Sequence, residues 1–359
     1  MRQLASSKVP SMPRAEEKVI VRNIYYMMAY AFKALGLDEY ASIETEEFEH
    51  VEDLLAAILS IGISSRLKRG LEHGYAEVSE DFLGIRGKID MARTSQLRSA
   101  GRRSIRCTSD EWTVNTQMNR VLKCAVGTLV RSGAVGTERK NLLRSYYRQL
   151  DSIDNIRPSS IDWGRLSFHG GNRGYRLLMG VCHAVIENSL PTLYSGDTAF
   201  GKWRDNQKLS ALFEHFVLEY YRAEHPDLRA SAHRVASGSD NAPKILPALL
   251  TDVTLEGPGR TLIIDCKCYG TILHQHMESE ILSPAHRNQI YSYVAHESWS
   301  RKTGAVEGML LYALTDNARS MCESWDETGY RFHCRTLDLD TEFLGIRKQL
   351  DDIAALVEE

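Results

Sequence analysis

The chain has 359 residues, with 44 Lys+Arg against 47 Asp+Glu, a formal net charge of -3 and seven cysteines. At 43% hydrophobic and 25% charged it is neither a disordered polar chain nor a fibrous one, and its length suits about two domains. A net charge near zero also excludes a simple polycationic nucleic-acid coat.

Residues 1–18 are polar, contain Pro and Ser, and read as a loose tail without the apolar core of a signal peptide. Val19–Leu37 is apolar and aromatic but carries Arg22, Asn23 and Lys33, so it reads as a helix to Gly36 and not as a bilayer span. An acidic stretch with Glu44, Glu46, Glu47 and Glu49 precedes an amphipathic helix over about Val51–Leu67. Turn-rich sequence follows around Gly84 and Gly87, then a helix near Thr116–Ser132. Pro158, Ser159, Ser160, Gly170 and Gly171 mark a boundary between a first domain, 19–170, and a second, 171–359. The second half opens with helices at Tyr175–Ser189 and Gln207–Ala223. Apolar runs Leu249–Leu255 and Thr261–Cys268 are then joined by Gly257-Pro258-Gly259, a hairpin signature. A helix near Ala285–His296, a strand Gly308–Leu314 and an amphipathic helix from about Thr341 complete an α+β chain: a mixed, helix-rich N-terminal part followed by an α/β domain. Cys107, Cys124, Cys182, Cys266, Cys268, Cys322 and Cys334, without a secretory signal, read as reduced thiols; a cytoplasmic protein with no membrane association is expected.

Charge is unevenly spread. Residues 84–150 hold 14 Lys/Arg against 4 acids, whereas residues 171–359 are net -7. Such basic density fits contact with DNA phosphates or with an acidic partner, and Arg102, Arg103 and Arg106 are its tightest cluster. Arginines on the solvated face of a helical domain explain it equally well, since no aromatic platform is interleaved with them.

The hairpin carries the chemistry. Strand alternation puts Asp265 and Lys267 on one face, and the partner strand can bring Asp252 beside them. Two carboxylates suit a hard divalent cation, Mg²⁺ by default, which polarises a phosphodiester and lowers the pKa of a bound water. A nearby lysine can orient that water or offset charge on the phosphate oxygens. A solvent-facing hairpin with an incidental ion pair is opposed by Leu262-Ile263-Ile264, which marks a buried strand. Glu214, on the preceding helix, is a further carboxylate, with Glu219 its competitor from periodicity alone. Gln289 and Tyr293 are four apart and share a helical face. Cys266, Cys268, His274 and His276 form a Cys-x-Cys…His-x-His string. Zinc is the metal for such ligands, yet the spacing is unusual for it, and alternation turns the cysteines away from Asp265 and Lys267, so small buried hydrophobes are the simpler reading.

The order Glu214, Asp252, Asp265-Cys266-Lys267, Gln289/Tyr293 resembles the PD-(D/E)xK nuclease superfamily, with Thr251 where its first motif has proline. More specifically the chain resembles the McrC family, the nuclease subunit of McrBC-type modification-dependent restriction systems. The likeness runs through Arg22–Phe32, Gly84–Asp90, Asn115–Lys123, Leu212–Val217 and Leu246–Asp252. It implies an N-terminal domain that docks on a hexameric AAA+ GTPase, McrB-like, and stimulates GTP hydrolysis. It implies a C-terminal Mg²⁺-dependent endonuclease domain that cuts double-stranded DNA carrying modified cytosine. The metal would sit on Asp252, Asp265 and Glu214, with Lys267 and Gln289 completing the catalytic set. No Gly-x-x-x-x-Gly-Lys-Ser/Thr loop occurs, so nucleotide hydrolysis is expected of the partner. Two rival readings stay open: a non-catalytic GTPase-activating adaptor, and a stand-alone repair or recombination nuclease.

Overall fold

Seven consecutive buried residues, Thr261–Lys267, make one strand the spine of the second half of the chain. In the computed structural model that strand, β7 (Arg260–Lys267), lies inside a five-stranded mixed sheet. Its order is β11 (Cys322–Glu327), β12 (Tyr330–Asp338), β10 (Ala305–Leu314), β7, β6 (Val253–Glu256). The structure describes residues 15–33, 40, 42–43, 46, 48, 50–172, 174–189, 207–235, 249–268, 273–276, 279–301, 304–314 and 320–358. β10 runs parallel to both β7 and β12, while β6–β7 and β11–β12 are antiparallel. The expected hairpin is therefore present, turning at residues 257–259, but its first strand is split: β5 (Leu249–Leu250) pairs with β4 (Arg234–Val235) instead, and a further antiparallel pair, β8 (Leu273–His276) with β9 (Ser279–Leu282), follows β7.

Alternation divides the residues of β7 between two helical layers. Ile263, with Val306, Leu310, Tyr312, Phe332 and Cys334 from its neighbours, packs under Ile290, Tyr293 and Val294 of helix α8 (Pro284–Ser300). Leu262, Ile264 and Cys266 take the other face. There α7 (Gln207–Glu224) and α9 (Phe343–Glu358) pack on β7 and are tied to each other by Tyr221 Oη donating to the carbonyl of Leu350 at 3.0 Å. At Gly308 of β10 a Cβ would come within 2.9 Å of Ile290, Val294 and Phe332. The missing side chain is what lets α8 lie this close to the sheet.

Helix α1 (Ala15–Ala31) packs on α7. Asn23 Nδ2 donates to the carbonyls of Leu339 and Thr341, both at 2.8 Å, Tyr26 stacks on Phe343, and Tyr30 Oη donates to Glu224 Oε1 at 2.8 Å. These contacts explain the Arg22–Phe32 segment as a structural clamp. They also shift the division of the chain. One compact unit comprises residues 1–54 and 191–359; the other comprises 55–190. A split at 170 places residues 19–54 and 171–190 differently, because linker composition records where turns fall and not which helices bury one another.

The unit 55–190 holds most of α2 (Val51–Arg69), then a three-stranded sheet ordered β1 (Gly74–Phe82), β3 (Ile105–Thr113), β2 (Lys88–Ile89), with α3 (Met91–Ser99) beside it. Helices α4 (Gln117–Arg131), α5 (Thr137–Gln149) and α6 (Tyr175–Ser189) follow. The α4 stripe of Val121, Leu122, Ala125 and Leu129 is fully buried, and α4 packs on α6. A polar knot mounts the start of β1: Asn119 Nδ2 donates to the carbonyls of Glu72 and Val114, Asn172 Nδ2 to Glu72 Oε1, and Tyr175 Oη to Asn119 Oδ1 at 2.7 Å. At the turn into β2, Gly87 has φ +77, and a Cβ would stand 2.3 Å from the Thr108 carbonyl.

Gly308→Ala should lower unfolding stability by about 1–3 kcal/mol, because α8 must lift from β10. Gly259→Ala, which meets nothing within 4 Å, should stay within about 0.5 kcal/mol in the same urea titration.

Candidate active site

The register Val253↔Ile264 carries Asp252, one residue before β6, to a position across from Asp265. Asp252 Oδ2 accepts the Cys266 N–H at 2.8 Å, so this carboxylate is oriented by the backbone of the strand it faces. The Thr251 N–H donates to the His233 carbonyl at 3.1 Å, a bond that a proline at this position would forfeit.

Asp265 is wholly buried, and Lys267 is 8% exposed. Asp265 Oδ2 lies 2.7 Å from Lys267 Nζ, and Oδ1 has no hydrogen-bond partner among the described residues. Burial pushes the Asp265 carboxyl up to about 6 despite the attraction of Lys267. Asp252 is also raised, by burial above all. Lys267 Nζ donates to Gln289 Oε1 at 3.2 Å, and Gln289 Nε2 donates to Tyr293 Oη at 2.8 Å. The amide is thus held at both ends, and its oxygen is aimed at the ammonium. Glu214, on α7, accepts from Ser210 Oγ at 3.2 Å and is pushed up to about 7 by burial and then by the charge of Asp252. Glu219 is engaged elsewhere: it pairs with Lys33 at 3.0 Å and Arg222 at 2.7 Å, on the side of α7 that meets α1. Of the two glutamates, Glu214 is the one that feels the aspartates.

The structure adds a pair that motif reading missed. His286 Nδ1 and Tyr312 Oη are 2.8 Å apart, Tyr312 is the register partner of Lys267 on β10, and His286, Gln289 and Tyr293 follow one another on one face of α8. Cys266 and Cys268 are buried and free, with thiols raised by burial. The side chains of His274 and His276 lie outside the described residues. Among the described residues no three His, Cys, Asp or Glu side chains are gathered closely enough to hold a metal by themselves. Asp252 and Asp265 nonetheless suit a hard cation. A buried carboxylate oxygen without a partner is costly, and Mg²⁺ commonly takes one or two carboxylates and completes its shell with water and phosphate. The arginines of the basic segment belong to the other unit and are separated: Arg102 and Arg103 are exposed between α3 and β3, whereas Arg106 Nη1 pairs with Asp81 Oδ1 at 3.0 Å.

Comparison with known proteins gives a family. The model of the McrBC 5-methylcytosine restriction system component matches residues 6–313. The chain belongs to this family. Among McrBC proteins, the type IV methyl-directed restriction enzyme EcoKMcrBC of Escherichia coli (strain K12) is 28% identical over 347 residues, 94% of this chain and 98% of that protein. A half-complex from the tetradecameric assembly of Thermococcus gammatolerans McrB AAA+ hexamers with bound McrC is similar at TM-score 0.47 and 15% identity, over 94% of this chain and 77% of that one. The T. gammatolerans McrBC complex gives TM-score 0.35 and 17% identity, over 51% of this chain and 62% of that one. Among the described residues no helix is long and apolar enough to cross a membrane.

A raised carboxyl costs nothing below its unfolded pKa, near 4, and its full amount above the folded value of about 6. In the presence of chelator, the stability of the wild type relative to Asp265→Asn should therefore fall between about pH 4 and 7, by on the order of 3 kcal/mol, and level off above. Urea midpoints across pH test this; a difference independent of pH would remove the claim.

Proposed function

We propose that the chain is the DNA endonuclease subunit of a methylcytosine-dependent restriction complex, with a PD-(D/E)xK active site. It would cut with Mg²⁺ when assembled with a hexameric AAA+ GTPase whose GTP hydrolysis it stimulates. The observation that carries the reading is the buried Asp252/Asp265/Lys267 set on β6 and β7, in a chain of the McrBC family. The methyl-directed E. coli relative and the match to the McrBC family support the choice of substrate and system.

Asp252 and Asp265 would hold the divalent cation, with Glu214 beside them, and the ion supplies Lewis acidity toward the phosphate and a lower pKa for bound water. Lys267, drawn between Asp265 and Gln289, would orient the attacking water and offset charge on the phosphate oxygens. Gln289 acts through Lys267: its carbonyl faces the ammonium because its amide group is spent on Tyr293. The basic 84–150 segment, including Arg102 and Arg103, is assigned to DNA or motor contact.

Asp252→Ala, Asp265→Ala and Lys267→Ala should each abolish cleavage of methylated plasmid in the complex reconstituted with partner, GTP and Mg²⁺. Stimulation of the partner's GTPase should survive. Full cleavage by Asp265→Ala would refute the site. A wild-type complex that raises GTP turnover yet never cuts would favour a non-catalytic adaptor, and cleavage without any motor a stand-alone nuclease. Tyr293→Phe keeps a ring but removes the acceptor for Gln289, so it should lower kcat more than it raises KM.

A further inference from the structure

Helix α5 presents Lys140, Arg144 and Arg148 at four-residue spacing. Four residues advance a helix by about 6 Å and rotate it by only about 40°, so the three cations form a row about 12 Å long on one flank. Like charges so placed oppose helix formation. Among the described residues no carboxylate pairs with any of the three, and Arg144 Nη1 donates to Asn141 Oδ1 at 2.9 Å. The acids nearest in sequence stand elsewhere: Glu138 is about 160° round the helix from Lys140, and Asp151 lies beyond the last turn.

The row sits on a fixed support. Leu143 is fully buried, Tyr147 Oη donates to Asn155 Oδ1 at 2.8 Å, and Lys123 Nζ stands 5.2 Å from the Tyr147 ring centre. Arg144 and Arg148 are exposed, and Lys140 is half-buried. Residues 171–359, which supply Glu214, Asp252, Asp265 and Lys267, are net -7 and so offer a polyanion no net attraction, whereas residues 84–150, which hold the row, carry 14 Lys/Arg against 4 acids.

We infer that this row is a sequence-independent contact to the phosphate backbone of double-stranded DNA; the inference rests on the nuclease reading above. A strand offers one charge for about every 3.4 Å of duplex, so a straight cationic row of this length meets about three phosphates whatever the bases. An acidic protein would have to match the row with carboxylates at the same pitch, whereas the phosphate lattice is always present.

The test is salt dependence. Binding of a 30-base-pair unmethylated duplex is titrated against salt for the wild-type complex and for Lys140→Gln/Arg144→Gln/Arg148→Gln, with circular dichroism melting to show that both fold. Loss of three phosphate contacts should reduce the slope of log K against log salt by about 2.7. Association with the partner should be unchanged. An unchanged slope overturns the inference, and an unchanged slope with weakened partner association assigns the row to a protein interface. If the wild-type complex never cuts methylated plasmid but the slope still drops, the nuclease reading fails and the phosphate row stands. If it cuts and the slope holds, the row fails and the nuclease reading stands.

Discussion

Asp265 is a carboxylate with no exposed surface and one cation, Lys267, beside it, and the layers around it are arranged to tolerate that. An ion pair taken out of water repays its desolvation only when its remaining valences are met. On the ammonium side they are met by Gln289, which Tyr293 holds in turn. On the carboxylate side one oxygen stays unmet, and in a folded protein such a vacancy is a strong reason to look for a ligand. The rest of this unit follows from the pair. β7 has to be central so that water is excluded, and β10 has to bring Leu310 and Tyr312 alongside Asp265 and Lys267. α8 has to ride low on the sheet, which Gly308 allows, so that Gln289 reaches the ammonium.

Much of that arrangement was legible in the sequence because it is written in short-range patterns. A run of aliphatic residues, a glycine–proline turn and period-two alternation are enough to place Asp252, Asp265 and Lys267 near one another, and the four-residue step does the same for Gln289 and Tyr293. The choice between Glu214 and Glu219 was not legible, since it depends on Lys33 and α1, distant in sequence. The His286–Tyr312 contact joins a helix to a strand across 26 positions and has no local signature. In the other unit β1 and β3 escaped notice because their residues are half-buried or exposed, with Cys107 the buried exception, so polar residues fill positions that alternation would otherwise mark. The amphipathic α5 escaped for the same reason, with Leu143 its buried residue.

The likeness to McrBC proteins and the geometry of the site constrain different things. Family membership says to which kind of system the chain belongs. It does not by itself say which side chains act. The proposed choice of residues rests independently on the buried carboxylates, the strand register and the amide held between Lys267 and Tyr293, and so the site variants and the partner assays probe separate claims.

The clamp between α1 and the far end of the chain has a consequence for biosynthesis. Asn23 bonds to carbonyls more than 300 residues away, and α9, which packs with α7 on β7, ends at residue 358. Residues 55–190 form their own compact unit and are complete on the ribosome long before that. The unit holding Asp265 must wait, its first helix made early and its contacts with residues 339–343 completed only when the last part of the chain emerges. A chain released before α9 is made therefore lacks the helix that, with α7, covers one face of β7.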